Sequence, residues 1–442
     1  MSRLGKASGQ WSVVSGQSVG FKVILLFISL LLIPHSLLLT EVRADEYHYN
    51  NILIGDRAAA MGGAYTAISD DSSGCFYNPA GIVYATGRSL SVSVNAFDYS
   101  KKTYKDVLGG NGWNRVSSNL QPNYFGIIQP LGTGKVGFSY AVPDSITENQ
   151  KQTFYNMVGS DPVTSAPLTI TRYVIDVNDT DKTYNFGPSY ALKLSDRFSL
   201  GATVYAHYRK RELIFNQFLN VDDDSDGVSD RYEWNNVYGS QEEWGVKPIL
   251  GAMWNPVDKL SLGLTVSQNR ILSSDTRIQE TSRTLASNTG GSEPSYSAPS
   301  SDDKREFPYT ATLGLAYFPS ERLVMSADVS YFSEVSDSQK AVVNAAVGTE
   351  YYPTEKIALR GGFFTNRANT PTLSSGGVNQ PEHIDIYGAS LSVTHFTRSS
   401  SITVGGSYAL GNGEAQIISN SSSIQDAEVQ NLTAFVSAGY SY

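Results

Sequence analysis

Apolar and polar residues alternate along most of the chain from residue 88 onward. The first such segment, SLSVSVNAF at 89–97, places Leu90, Val92 and Val94 on one face and polar residues on the other. A period of two is typical of a β-strand with one apolar and one polar face. Comparable segments recur at 198–206, 260–267, 309–317, 402–408 and 432–442. The pattern predicts a large antiparallel β-sheet.

Short and long connections alternate between these segments. The short ones, such as PLGTGK at 130–135 and NPVDKLSLG at 255–263, combine turn-forming residues with a charge. The long ones are polar and lie roughly at 100–119, 144–180, 219–235, 282–306, 333–339, 368–381 and 412–427. This alternation is typical of a membrane barrel with tight periplasmic turns and long extracellular loops. An open sheet edge is not tolerated in lipid, so we expect the strands to close.

The segments predict fourteen strands, an even number that brings both barrel ends to the periplasmic side. The expected strands lie near 88–99, 120–131, 134–143, 181–194, 196–218, 236–254, 258–281, 307–319, 321–332, 340–352, 354–367, 382–394, 399–411 and 428–442. Residues 168–178 form an additional candidate hairpin within a long loop. A soluble sandwich would alternate similarly, but the strand lengths and the aromatic end at Tyr440 and Tyr442 favour an all-β transmembrane barrel.

Composition narrows the class further. The chain has 442 residues, of which only 17% are charged and 11% are aromatic, and its mean hydropathy of -0.22 argues against a helical membrane protein. A net charge of -9 argues against nucleic acid as a partner. The single cysteine, Cys75, has no partner for an intrachain disulfide, and we interpret it as a small buried residue.

The first 44 residues have the pattern of a signal peptide. Lys22 precedes the apolar run at 23–39, and Val42-Arg43-Ala44 supplies small residues at a cleavage position. The alternative is a membrane anchor, but Pro34, His35 and Ser36 leave the run short for a helical span. We therefore expect residues 1–44 to be removed on export.

Residues 45–87 do not read as a strand, and we predict a plug that enters the barrel. Gly62 and Gly63 permit tight turns, and the segment ends in Asn78-Pro79-Ala80. Pro79 fixes its own φ and restrains the residue before it toward an extended backbone. The alternative is that this ending is only a turn before the first strand. The paired acids Asp70 and Asp71 suggest no more than capping or turn formation.

A fourteen-stranded barrel preceded by such a plug resembles the FadL/TodX (OMPP1) family of outer-membrane transporters for hydrophobic compounds. The residues that carry the resemblance are Gly55, the run from Arg57 to Ala64, Asp70-Asp71, and the run from Tyr77 to Gly81. The resemblance implies passive transport of long-chain fatty acids or aromatic hydrocarbons across the outer membrane of a Gram-negative bacterium. It also implies outer-membrane lipid and the barrel-assembly machinery as partners. We expect a monomer.

The family's model implies that plug movement releases substrate sideways through a kink in the third strand. The corresponding segment here is 134–144, where Gly137 and Pro143 are the candidates for an interrupted ladder. We expect Asn78 to offer its amide to unpaired backbone at that broken strand. The expected gate and plug residues are Gly62, Gly63, Asn78, Pro79, Ala80, Gly137 and Pro143.

Three other functions are alternatives to a transporter: protein secretion, a general porin and catalysis. Related PorV-like barrels carry the same plug motif and serve protein secretion, which is the main alternative. A general porin would need an open charged constriction, which a plug opposes. Catalysis is disfavoured, because none of the histidines lies in a recognisable Ser or Asp setting and the chain lacks an H-E-x-x-H pattern; we interpret His207 as a barrel-wall residue.

Residues 222–233, DDDSDGVSDRYE, match the ligand spacing of a calcium loop. Gly227 stands at the sixth position, where the loop turns sharply. The loop departs from an EF-hand because Ser229 replaces an apolar residue and the flanks are strand-like. The alternative is a solvated acidic loop. The expected ligands of Ca²⁺ are Asp222, Asp224, Asp226, the Val228 carbonyl, Asp230 and Glu233.

Overall fold

The computed structural model describes residues 47–108, 110–160, 167–224, 226–286, 291–417 and 422–441. The expected signal peptide, residues 1–44, lies outside the described residues. No helix within these ranges is long and apolar enough to cross a membrane. The chain instead forms a closed antiparallel β-barrel with a short helical segment inside it.

Seventeen strands make up the described sheet. They are β1 (Ser89–Leu108), β2 (Asn111–Leu131), β3 (Gly134–Ser160), β4 (Pro167–Ser195), β5 (Phe198–Asp222), β6 (Arg231–Val257), β7 (Leu260–Gln268), β8 (Arg270–Ala286), β9 (Ser295–Ser297), β10 (Ser300–Ser301), β11 (Tyr309–Ser320), β12 (Leu323–Phe332), β13 (Val342–Thr354), β14 (Ile357–Asn366), β15 (His383–Phe396), β16 (Ser400–Ala415) and β17 (Gln425–Ser441).

The barrel wall consists of fourteen strands, as the sequence predicts. β7 and β8 both pair with β6 and form one wall strand that is interrupted at Asn269, while the short β9 and β10 pair with β8 alone. Every neighbouring pair is antiparallel, and β1 pairs with β17 from Ser89–Ser441 to Tyr104–Ala427. This last pairing closes the described sheet into a barrel.

The extracellular strands are longer than the sequence suggests. The segment expected to be a loop at 144–180 instead continues β3 to Ser160 and starts β4 at Pro167. The candidate hairpin at 168–178 is part of β4 alone. The expectation failed because inward-facing charges here are buried and paired, as Asp179 is with Arg211, so polarity did not mark a loop.

A row of aromatic rings crosses the outer face of β3 to β6. The ring centroids of Tyr140 and Tyr184 are 6.1 Å apart, those of Tyr184 and Tyr208 also 6.1 Å, and those of Tyr208 and Trp244 4.5 Å. Below this row β6 exposes Leu250, Trp254 and Val257. About ten residues of tilted strand span roughly 25 Å, the height of the apolar band of a membrane barrel.

The described part of the N-terminal segment, residues 47–88, fills the barrel interior. It contains α1 (Arg57–Ala60), α2 (Gly74–Tyr77) and a 3₁₀ helix (Pro79–Tyr84). Ala58, Ala60 and Met61 are completely buried against the wall. We refer to residues 47–87 as the plug. Its position leaves an extracellular chamber above it, described below.

Candidate functional site

The plug turns sharply at the two glycines that the sequence singles out. Gly62 and Gly63 have φ angles of +67° and +84°, which L side chains rarely adopt. The Gly62 amide donates to Ser390 Oγ at 3.0 Å, and Ser390 Oγ in turn donates to the Ala60 carbonyl at 2.8 Å. The turn is therefore fixed both by backbone geometry and by one serine of the wall.

Glycines of the wall let the plug backbone lie directly against the strands. A Cβ at Gly201 would stand 2.4 Å from the Pro79 carbonyl carbon, and one at Gly362 would stand 2.2 Å from the Met61 carbonyl carbon. Real Cβ atoms do not approach this closely. Other wall glycines show the same close approach to plug atoms. We call the set the glycine seat: Gly126, Gly137, Gly201, Gly251, Gly263, Gly314, Gly348 and Gly362.

Asn78 is completely buried and holds the end of the plug together. Its Oδ1 accepts the Ala80 amide at 3.1 Å and so caps the 3₁₀ helix, while its Nδ2 donates to the Thr66 carbonyl at 2.8 Å. Nδ2 also donates to the Ala252 carbonyl of β6 at 3.1 Å. The expectation that Asn78 meets the broken third strand is wrong, because Asn78-Pro79-Ala80 lies against β5 and β6.

An arginine of the plug is buried between one carboxylate of the wall and one of the plug itself. The guanidinium of Arg57 donates to Glu350 of β13, with the closest contact at 2.6 Å, and Arg57 also pairs with Asp70. Arg360 of β14 donates to the same Glu350 at 2.6 Å. Asp71 accepts the Ser73 amide at 2.8 Å. Asp70 and Asp71, for which the sequence suggested only capping or turn formation, thus anchor the plug internally. Sequence reasoning missed Glu350.

Further wall side chains bind plug backbone. One carboxylate oxygen of Asp328 accepts the amides of Tyr65 and Thr66 at 2.9 and 2.8 Å, and Ser326 donates to the Ala64 carbonyl at 2.7 Å. Sequence reasoning did not find these residues. Asp328 is buried and has no cationic partner within the described residues. A buried carboxylate without a cation requires hydrogen-bond donors, which the plug amides supply.

The ladder between β2 and β3 is interrupted. Backbone pairing runs from Leu131–Gly134 to Tyr124–Ala141, and beyond this only the single pair Ser117–Glu148 is formed. Residues 118–123 and 142–147 therefore face each other without ladder pairs, and we call this opening the β2–β3 gap. Pro143 lies within it, whereas Gly137 lies in unbroken ladder and instead seats Cys75. Only one of the two predicted residues is at the interruption.

Side chains replace the missing ladder in the gap. Asn119 Nδ2 lies 3.5 Å from Ser145 Oγ, which lies 3.5 Å from Gln121 Oε1, and the Thr147 amide donates to Ser117 Oγ at 3.1 Å. Contacts at 3.5 Å are at the limit of a hydrogen bond. This part of the wall is therefore more weakly joined than the regular ladders beside it.

The plug covers the gap from the barrel interior. The Ile52 amide donates to the Pro143 carbonyl at 3.2 Å. Asn51 Nδ2 lies 3.5 Å from Asp144 Oδ1, and the Leu53 carbonyl accepts from Asn123 Nδ2 at 3.2 Å. The first described turn of the plug thus contacts both strands that border the opening.

A cavity of about 1050 Å³ lies above the plug, and we call it the chamber. Ile52 and Leu53 of the plug belong to its lining, and so do Asp144 and Ser145 of the gap. Much of the remaining wall is apolar. Eight residues of one buried apolar cluster line the chamber: Tyr104, Val107, Trp113, Ile175, Phe215, Ile386, Ala409 and Ala415. The rest of the cluster packs with them: Phe154, Met157, Val177, Leu213, Val237, Ile384, Ala427 and Val429. The chamber can hold an apolar molecule and reaches the gap.

A buried layer of paired charges lies below the apolar cluster on β4 to β6. Arg209 binds Asp181, and Arg211 binds Asp179 at 3.0 Å. His207 is buried in the same wall, with Nδ1 3.0 Å from Asn185 Oδ1. The paired charges offer no open constriction of the kind that a general porin needs.

The acidic loop brings three of its six expected ligands together. Oxygens of Asp222, Asp224 and Asp226 lie within 4.8 Å of one another. Asp230 instead accepts the Asp223 amide at 3.0 Å, and Glu233 lies in the chamber wall 3.4 Å from Arg231 Nε. Gly227 has a φ of +94°, as a sharp turn requires. Ser225 lies outside the described residues, and Glu233 does not join the cluster.

The closed barrel with its apolar outer band and aromatic row defines a transmembrane β-barrel of the outer-membrane type. No protein-family model and no curated protein matches the chain. Solved structures do match.

The chain is similar to a Pseudomonas aeruginosa FadL homologue at 15% identity and to the P. putida toluene transporter TodX at 12%, each with a TM-score of 0.60. It is also similar to the CymD monoaromatic hydrocarbon channel, at 12% identity and a TM-score of 0.56. Each comparison covers 89% of this chain and 99% of the other. The resemblance to the FadL/TodX family is therefore confirmed at the level of the fold.

Proposed function

We propose that this barrel is a passive outer-membrane channel for hydrophobic compounds in a Gram-negative bacterium. The observation that carries the proposal is the chamber of about 1050 Å³, with its apolar cluster, above a plug that closes the barrel. Apolar molecules leave water for such a surface without any energy source, since burial of apolar area is favourable by itself. The solved proteins of this fold include a toluene transporter and a monoaromatic hydrocarbon channel.

The exit in this proposal is sideways through the β2–β3 gap. Asp144 and Ser145 belong to both the gap and the chamber wall. A molecule in the chamber therefore reaches the membrane by displacing weak side-chain contacts, with no regular ladder to break. The plug segment at Ile52 must move aside first, because its amide is bound to Pro143. Straight passage to the periplasm would require displacement of the whole plug from the glycine seat.

The enclosed chamber favours small molecules over the alternative of a secretion component. A secretion partner would bind an outer surface, and the apolar cluster described above faces the barrel interior. Fatty acids and aromatic hydrocarbons both remain substrates of the proposed channel.

The proposal is tested by uptake of radiolabelled oleate and toluene into Gram-negative cells that lack their own channel of this fold. Cells producing the wild-type barrel should accumulate one of the two faster than cells producing Phe215→Asp, which places a charge in the apolar cluster. The matched control is Asn216→Asp, which places the same charge at the outward-facing neighbour. Uptake equal to that of empty cells would contradict the proposal.

We propose in addition that the acidic loop binds Ca²⁺ through Asp222, Asp224 and Asp226. Three carboxylates that converge within 4.8 Å fit a hard cation that prefers oxygen ligands. The loop joins β5 and β6 above the chamber, so a bound ion would order the extracellular mouth. Its test is given in the Discussion.

A further inference from the structure

Two buried polar groups of the chamber wall have no hydrogen-bond partner among the described residues. They are the indole Nε1 of Trp113 and the side-chain amide of Asn235, of which both Nδ2 and Oδ1 are unpaired. The side chains are only 7% and 5% exposed, and both residues line the chamber. A buried polar group without a partner costs free energy, so a ligand that pairs with it gains affinity.

The surroundings of Asn235 leave it free for a ligand. Its backbone pairs in register with Gln217 of β5 and Ser282 of β8. The Gln217 amide is already used, since its Nε2 donates to the Tyr173 hydroxyl at 2.6 Å. The inward neighbour Val237 belongs to the apolar cluster. Asn235 therefore presents its amide N–H and its carbonyl oxygen to the chamber, next to Val237.

The charges near Trp113 are occupied. Arg115 lies over the indole ring at 5.7 Å from its centroid and binds Glu148 at 2.6 Å. Lys102 on the neighbouring strand is paired with Glu382. The indole N–H is a donor only and thus suits an acceptor oxygen. The unpaired groups named here are neutral, so they match an uncharged partner.

We infer that the chamber selects apolar molecules that carry an uncharged oxygen function, a hydroxyl or a carbonyl, which pairs with Asn235 or with the Trp113 indole. The inference rests on the proposed function and names the substrate class of the same chamber. A plain hydrocarbon of the same size leaves both groups unpaired. A hydrocarbon therefore still enters the chamber but binds there more weakly than its oxygenated analogue.

The test compares 1-octanol with n-octane on the full barrel in lipid nanodiscs, with empty nanodiscs as the blank. Each compound competes with the apolar fluorescent probe N-phenyl-1-naphthylamine. The measured quantity is the free concentration of the compound at which half of the bound probe is released. Wild type should release the probe at about tenfold lower 1-octanol than n-octane, the scale of one buried hydrogen bond. Asn235→Leu should remove most of this preference, and Trp113→Phe should reduce it.

Asn236→Leu is the matched control, since it makes the same change at the next residue of β6, on the outer face. It should keep the wild-type preference. Equal displacement by both compounds, or a preference unchanged in both Asn235→Leu and Trp113→Phe, would overturn the inference while leaving a hydrophobic channel in place. A wild-type barrel that does not bind the probe at all would contradict the proposed function itself.

Discussion

The amide of Ile52 donates a hydrogen bond of 3.2 Å to the carbonyl oxygen of Pro143. This contact joins the plug to the strand at the point where β2 and β3 are unpaired. Pro143 has no amide hydrogen, and the β3–β4 register shifts between Ala141 and Asp144, so the ladder is irregular on both sides of this strand. The plug therefore contacts the weakest part of the wall from inside.

The glycine seat predicts that one added methyl group loosens the plug. Gly362→Ala should destabilise the plug by about 1–3 kcal/mol, because the Cβ would meet the Met61 backbone at 2.2 Å. Gly361→Ala is the matched control on the outer face, where the nearest atom is a Leu391 methyl at 3.2 Å. Maleimide labelling of Cys75 reports the difference, since this thiol is completely buried and burial raises its pKa to about 11. Equal labelling of the two variants would contradict the seat.

Loss of the buried carboxylate at Glu350 should be costly. Glu350→Gln leaves Arg57 and Arg360 without their shared counter-ion, and breaking a buried pair of this kind costs about 3–5 kcal/mol. The expected result is a lower urea midpoint of unfolding in lipid vesicles. Glu428→Gln removes the exposed partner of Lys105 and should leave the midpoint unchanged. Similar midpoints for both variants would refute a structural role for Glu350.

Calcium binding is testable by calorimetry on the purified barrel. Wild type should release or absorb heat on addition of Ca²⁺, and Asp224→Asn should lose this signal because one carboxylate of the cluster is neutralised. Asp258→Asn, in a turn at the other end of β6, is the control and should behave as wild type. Equal heat from wild type and Asp224→Asn would reject the site.

Plug movement can be blocked with a single substitution. A Cβ at position 137 would lie 2.6 Å from Cys75 Sγ, so Gly137→Cys places two thiols within reach of a disulfide. Oxidation should abolish oleate and toluene uptake, and reduction should restore it. Gly137→Ser adds similar bulk without the bond and should not respond to oxidant. Unchanged uptake in the oxidised Gly137→Cys barrel would contradict gating by the plug.

The sequence predicts the barrel well because alternation is a local property of each strand. The same alternation predicts part of the glycine seat. It places Gly201, Gly263 and Gly314 on the polar face of their strands, which faces the barrel interior. The partner of Asn78 was not predictable in this way. Ala252 lies 174 residues away, and contact between them depends on how the plug is rotated inside the wall.

The long extracellular strands were missed for a related reason. Asp179 falls in the segment predicted as a loop, yet inside the barrel it pairs with Arg211 and stays buried. Charge pairing across strands depends on register, which a single segment does not specify. The β2–β3 gap was anticipated only through Pro143, since Gln121 and Ser145 have no local signature.

We propose that hydrophobic compounds leave the chamber through the β2–β3 gap, and a reversible cross-link across the gap tests this exit most directly. Gln121→Cys with Ser145→Cys, in a Cys75→Ser background, joins side chains that are 3.5 Å apart. The control pair is Ile127→Cys with Phe138→Cys, which links the same strands where the ladder is intact.

Uptake of radiolabelled toluene and oleate is measured before and after oxidation, and again after reduction. Closing the gap should lower uptake to the level of empty cells and reduction should restore it, while the control pair should transport normally in both states. Full uptake through the oxidised gap pair would contradict the account.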